Sequence, residues 1–115
     1  MEMNEYQIAA DRTSGDLSKE NKIRNGCYGM CGEAGECIDI LKKHEFQGHD
    51  FDREALLDEV SDVLWYVAQT ATGLGVTLEA VAQHNIDKLR NRYPDGFDAQ
   101  RSIHRPEYEG RDNND

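Results

Sequence analysis

The sequence predicts an all-α protein, an antiparallel bundle of about four helices, and three observations predict it. Apolar residues recur at steps of three and four along the chain, capping and glycine signals separate these stretches, and alternating β-branched runs with hairpin turns are missing. The first helix is expected from about Glu5 to Arg12, capped by Asn4 and closed by Thr13-Ser14-Gly15. A second runs from Ser18 or Lys19 to about His44, its stripe formed by Ile23, Cys27, Met30, Cys31, Ala34, Ile38 and Leu41. After a polar stretch around Gly48, a third spans Asp52 or Arg53 to Thr72-Gly73, with Leu56, Leu57, Val60, Val63, Leu64, Val67, Ala71 and Leu74 on one face. Gly73-Leu74-Gly75 supplies a tight reversal, Thr77 suits the N-cap of a fourth helix, and Pro94 and Gly96 stop it.

At 115 residues the chain is expected to hold one domain, 1–97, followed by a polar tail, 98–115, partly disordered or docked on a neighbouring subunit. So small a chain buries a limited core, which favours self-association. A net charge of −10 argues against nucleic-acid binding, which requires lysine and arginine to displace counterions. No apolar run reaches the roughly 20 residues that cross a bilayer, and Met1-Glu2-Met3-Asn4-Glu5 does not read as a signal peptide, so the expected location is the cytoplasm, away from membranes. Cys27, Cys31 and Cys37 read as reduced core thiols. His44 and His49 are five apart beside Gly48, a spacing that fits a solvated loop and not a zinc-binding helix face.

The chemistry concentrates in acids. Gly32-Glu33-Ala34-Gly35-Glu36 and Asp58-Glu59-Val60-Ser61-Asp62 each carry a carboxylate pair three apart. At about 100° per residue, Glu33 and Glu36 fall on one flank of Ala34, and Glu59 and Asp62 on the same flank of Val60, the expected apolar centre of its helix. One such pair is ordinary on an acidic chain. Two at matching angles on antiparallel neighbours bring four carboxylates together, and hard divalent cations relieve their repulsion. The glycines beside Glu33 are expected to admit close approach. Asn85, Lys88 and Arg92 share a face of the fourth helix and suit phosphate oxygens, although Lys88 and Arg92, like Lys42 and Lys43 on the second helix, also serve as a basic last turn that complements the helix dipole.

These motifs together resemble the MazG-like branch of the all-α nucleoside triphosphate pyrophosphohydrolases. That family pairs Glu-x-x-Glu with a later Glu-x-x-Asp, seen here as Glu33 with Glu36 and Glu59 with Asp62, followed by Asn-x-x-Lys and Arg-Tyr-Pro, seen as Asn85, Lys88 and Arg92-Tyr93-Pro94. Its opening Glu-Tyr-Gln is Glu5-Tyr6-Gln7, and Gly32 stands where the family often has a further acid. The resemblance implies hydrolysis of a nucleoside or deoxynucleoside triphosphate to the monophosphate and pyrophosphate. It assigns Mg²⁺, replaceable by Mn²⁺, to Glu33, Glu36, Glu59 and Asp62, one of which serves or orients the base. Asn85, Lys88 and Arg92 become substrate contacts, with Gln7, Trp65 and Tyr66 as weaker ones, of which Trp65 and Tyr66 suit packing equally well. A homodimer or homotetramer is implied. Phosphoribosyl-ATP or deoxypyrimidine triphosphate hydrolysis on the same scaffold, and a non-enzymatic helical module, remain open alternatives.

Overall fold

Ser18 and Asp52 start the two longest helices by the chemistry expected of caps: the Ser18 side chain accepts from the Asn21 amide at 3.2 Å, and that of Asp52 from the Ala55 amide at 3.0 Å. The computed structural model describes residues 1–109, with no strand among them. In order the helices are α1 (Met3–Asp11), α2 (Lys19–Phe46), α3 (Arg53–Leu74), α4 (Leu78–Arg92), α5 (Ala99–Ile103) and α6 (Pro106–Glu109). They form two compact units, Met1–Leu78 and Glu79–Asp115, the second described as far as residue 109.

The all-α expectation holds, with differences at the ends. The first helix begins at Met3, and Glu2 replaces Asn4 as its cap, its amide donating to the Glu5 carboxylate at 3.1 Å. Two short helices, α5 and α6, occupy part of the stretch read as tail. Asp98 starts α5 by accepting from the amides of Gln100 and Arg101 at 2.8 and 3.1 Å. The disorder expected at the outer end falls on 110–115, outside the described residues. Among the described residues no helix is long and apolar enough to cross a membrane.

Glycines set how α2 meets α3. A Cβ on Gly26 would stand 2.1 Å from Thr70 Oγ1 and 3.0 Å from two backbone atoms of α3, one on Gly29 2.1 Å from the Tyr66 ring, and one on Gly73 2.8 Å from Ile23 and the Lys19 carbonyl. Contacts that descend α3 as they ascend α2 make the pair antiparallel. Around these points runs a seam of three- and four-residue steps: Ile23, Gly26, Met30, Glu33, Cys37 and Ile40 on α2, and Leu56, Glu59, Val63, Tyr66, Thr70 and Gly73 on α3, all buried or half-buried.

The packed seam therefore passes through Glu33 and Glu59 themselves. Ala34 and Val60, expected at its centre, are exposed, Val60 at 52%. Close backbone approach at three glycines fixes the rotation of the helices, and hydropathy carries no trace of it. The same rotation leaves Cys27 and Cys31 exposed and Cys37 half-buried, which corrects their expected burial, although all three are free thiols. Gly32 and Gly35 do not provide the close approach anticipated, since nothing lies within 4 Å of a Cβ on either. Gly32→Ala and Gly35→Ala are accordingly expected to stabilise the protein by about 0.5–1 kcal/mol each, read from chemical denaturation.

The buried core lies at the other end of α3, where Ala10, Ala68, Ala71 and Leu78 pack with Tyr6, Trp65 and Val67. Gln7, itself buried, latches α1 to the turn that follows α3. Its Nε2 donates to Thr72 Oγ1 at 3.1 Å and to the Val76 carbonyl at 2.9 Å, and its Oε1 accepts from the Leu78 amide at 2.7 Å. Gly75, at φ +75°, closes α3 in the left-handed conformation and allows that turn. Gln7→Ala orphans the buried Leu78 amide and is expected to cost about 1–3 kcal/mol, measured as a fall in the denaturant midpoint.

Candidate metal centre

Glu33 and Glu59 occupy seam positions where a bundle ordinarily places leucine, so the packing of α2 on α3 holds two carboxylates against each other. Asp62, one turn beyond Glu59, joins them on the flank. Oxygens of Glu33, Glu59 and Asp62 lie within 4.8 Å of one another, with Glu33 and Glu59 half-buried and Asp62 exposed. Glu36, on the same flank and exposed, stays outside this triad, although its charge acts on Glu59.

The electrostatic consequence falls on Glu59, whose pKa is pushed up to about 7 from its ordinary 4.5. A hydrogen bond shared with Glu33 contributes most, followed by loss of water and then by the charges of Glu33, Asp62 and Glu36. Glu59 Oε2 is buried and has no hydrogen-bond partner. Three carboxylates that can each offer an oxygen within 4.8 Å of the others, one of them with an unpartnered oxygen as well, are the donor set of a hard divalent cation. A folded-state pKa above the unfolded value means that protonated Glu59 favours the fold. That stability is complete below about pH 4.5 and is lost as pH rises through about 7. The melting temperature of metal-free protein is expected to fall across this window, and a divalent cation to restore it above pH 7.

The remaining expected site residues are placed less uniformly. Gln7 is committed to the α1 latch. Trp65 is half-buried, donates from Nε1 to Thr13 Oγ1 at 2.8 Å and packs edge-on to Tyr66 with centroids 5.0 Å apart, while Tyr66 fills the space left by Gly29. Asn85 and Lys88 are exposed on α4 in the second unit, where Arg92 is ion-paired with Glu107. Lys43 pairs with Asp39 at 3.0 Å, and His44, in the last turn of α2 and not in the loop expected for it, meets the His49 carbonyl through Nδ1 at 2.9 Å.

The residue that the sequence reading passed over is Tyr6. Burial and then the charge of the Asp62 carboxylate raise its hydroxyl pKa, so α1 brings this group within electrostatic reach of the acid site. The only sequence signal was its place inside Glu5-Tyr6-Gln7. The flank of Asp62 continues at Gln69, seven residues on and buried, whose Oε1 accepts from Asn25 Nδ2 at 2.7 Å.

Comparison with known proteins fits this geometry. The sequence model of the MazG nucleotide pyrophosphohydrolase domain matches residues 25–97, a span that contains both acidic pairs and the Asn85, Lys88 and Arg92 face. The chain belongs to the MazG nucleotide pyrophosphohydrolase domain family. It is also 38% identical over 101 residues to Gene 37 protein of Mycobacterium phage L5, an alignment covering 80% of this chain and 89% of the phage protein. No solved structure matches the chain. The MazG match starts at residue 25 and so leaves out α1, the element that supplies Tyr6 and Gln7.

Proposed function

We propose that this MazG domain hydrolyses a nucleoside or deoxynucleoside triphosphate between its α and β phosphates, releasing the monophosphate and pyrophosphate with Mg²⁺, or Mn²⁺ in its place. The observation that carries the reading is the triad of Glu33, Glu59 and Asp62, whose oxygens lie within 4.8 Å of one another, together with the unpartnered Oε2 of Glu59. Those three would hold the cation, which when bound neutralises the triphosphate and acidifies a water molecule. A net charge of −10 disfavours holding a polyphosphate by basic side chains alone, so cation-mediated binding suits this chain.

Glu36 takes a different part. It lies outside the triad yet close enough for its charge to reach Glu59, and its exposure leaves it free to accept the proton of the attacking water as the bond from the α phosphorus to the bridging oxygen breaks. Lys88 and Asn85 remain proposed phosphate or sugar contacts. Arg92 can join them only by giving up Glu107. Trp65 and Tyr66 serve the packing first, and any contact with the base is secondary to that.

The test is a panel of canonical and modified nucleotides scored for pyrophosphate release with Mg²⁺. Release from at least one, lost in Asp62→Asn and Glu36→Gln while helicity is retained, is the expected outcome. Absence of release from every nucleotide would favour a non-enzymatic module, and turnover unchanged in both variants would remove the acids from the reaction.

A further inference from the structure

We propose that Glu107 is a built-in stand-in for substrate phosphate: it holds Arg92 until a polyphosphate displaces it, so that α6 acts as an autoinhibitory strap on α4. The inference rests on the reading of Arg92 as a phosphate contact and adds that the contact is contested from within the chain. Pro94 ends α4, Gly96 at φ +94° reverses the backbone, and Asp98 restarts it as α5. The chain then returns as α6, whose Glu107 carboxylate meets the Arg92 guanidinium. Of the three α4 residues that suit phosphate, Asn85 and Lys88 stand exposed, while Arg92 carries a carboxylate.

The pair is sheltered enough to compete and weak enough to yield. The Arg92 side chain is 21% exposed and that of Glu107 35%, against 76% and 78% for the surface pair of Arg53 with Glu54. A hydrogen bond to its own backbone amide outweighs the loss of water and, with Arg92 and the charge of Arg105, keeps the Glu107 carboxyl below the ordinary range. Glu107 is therefore anionic wherever a nucleotide is. Yet α6 is a single turn, Pro106–Glu109, far short of the roughly 12–15 residues that sustain a helix in water, so it stands on its anchors. One anchor is local: the Arg105 guanidinium lies 5.4 Å from the Tyr108 ring and donates to the Tyr108 hydroxyl at 3.1 Å. The other is the pair with Arg92, which crosses to α4.

A carboxylate brings one negative charge to the guanidinium, whereas a diphosphate or triphosphate brings several, so exchange favours the polyphosphate. Glu107 withholds Arg92 from weak anions, yields it to substrate and reclaims it as products leave. Both α5 and α6 lie beyond residue 97, where the MazG match ends, so the strap is an addition to the matched domain.

Modification of arginine by phenylglyoxal, located by mass spectrometry on the full chain, reads Arg92 without turnover, and its failure is therefore separable from failure of the pyrophosphohydrolase reading. Arg92 is expected to react slowly in the parent and at least about threefold faster in Glu107→Gln, while far-ultraviolet circular dichroism stays as in the parent. Asp95→Asn, which removes one charge from an exposed position of the same unit, should react as the parent does. Inorganic pyrophosphate should protect Arg92 in both the parent and Glu107→Gln, at a concentration about three- to tenfold lower in the variant, the scale of one partly exposed ion pair. The KM of a nucleotide that the parent hydrolyses should fall by the same factor with kcat unchanged. Arg92 equally reactive in Glu107→Gln and the parent overturns the inference. So does protection at one concentration in both, protection in neither, or an Asp95→Asn protein that matches Glu107→Gln, which would assign the change to overall charge. Nucleotides left intact while Arg92 behaves as expected would sink the hydrolysis and keep the strap.

Discussion

Glu59→Gln is expected to abolish turnover and to make the metal-free protein more heat-stable in the same step. The glutamine keeps the shape of the side chain but removes the charge that Glu33, Asp62 and Glu36 oppose, and with it the oxygen that anchors a cation. Turnover should fall at least about 100-fold, the usual minimum for deleting a group that holds or generates the nucleophile. Above pH 7, where Glu59 of the parent is ionised at the expense of the fold, the variant's melting temperature in a chelating buffer should exceed the parent's. Added Mg²⁺ should raise the melting temperature of the parent and leave that of the variant unmoved. Turnover equal to the parent's would remove Glu59 from the reaction, and a lower melting temperature would show that its carboxylate supports the fold.

Gly26→Ala is the second large effect, and it acts on the backbone. The new methyl group meets Thr70 Oγ1 at 2.1 Å and, at 3.0 Å each, the Thr70 amide nitrogen and the Tyr66 carbonyl, which cannot rotate away. The helices must part. Overpacking of this kind costs about 1–3 kcal/mol, with up to about 1 kcal/mol returned by alanine's better helix propensity. A net loss of about 1–2 kcal/mol in denaturant titrations is expected, whereas the same substitution at Gly35 stabilises. Because the seam that Gly26 tightens also aligns Glu33 with Glu59, turnover should fall beyond what the unfolded fraction explains. A Gly26→Ala protein as stable as the parent would mean that α2 and α3 do not approach so closely.

How much of this was legible in the sequence depended on whether the signal was local. Ser18 and Asp52 announce helix starts, Gly75 announces an end, and the acids three apart announce themselves, so the helices and the carboxylates could be read directly. The rotation of α2 on α3 could not. It is set by Gly26, Gly29 and Gly73, which add nothing to a hydrophobic stripe, so the expected centres of the stripes, Ala34 and Val60, lie exposed while Ile23, Met30, Leu56 and Val63 at their edges form the packed seam. Gln7 was a recognition candidate only through the resemblance of Glu5-Tyr6-Gln7, and its structural role was hidden because its partner at Leu78 lies 71 residues away. The Glu107 carboxylate that occupies Arg92 was concealed in the same way, inside a stretch whose polarity read as tail.

The convergence of Glu33, Glu59 and Asp62 on one cation is tested most directly by titrating metal-free protein with Mn²⁺ and following free Mn²⁺ by electron paramagnetic resonance. The parent should bind the ion, Glu33→Gln, Glu59→Gln and Asp62→Asn should each bind at least about tenfold more weakly, and Glu36→Gln should bind as the parent does. Binding unchanged by all three triad substitutions would contradict the account, since it would place the cation elsewhere or nowhere on this pair of helices.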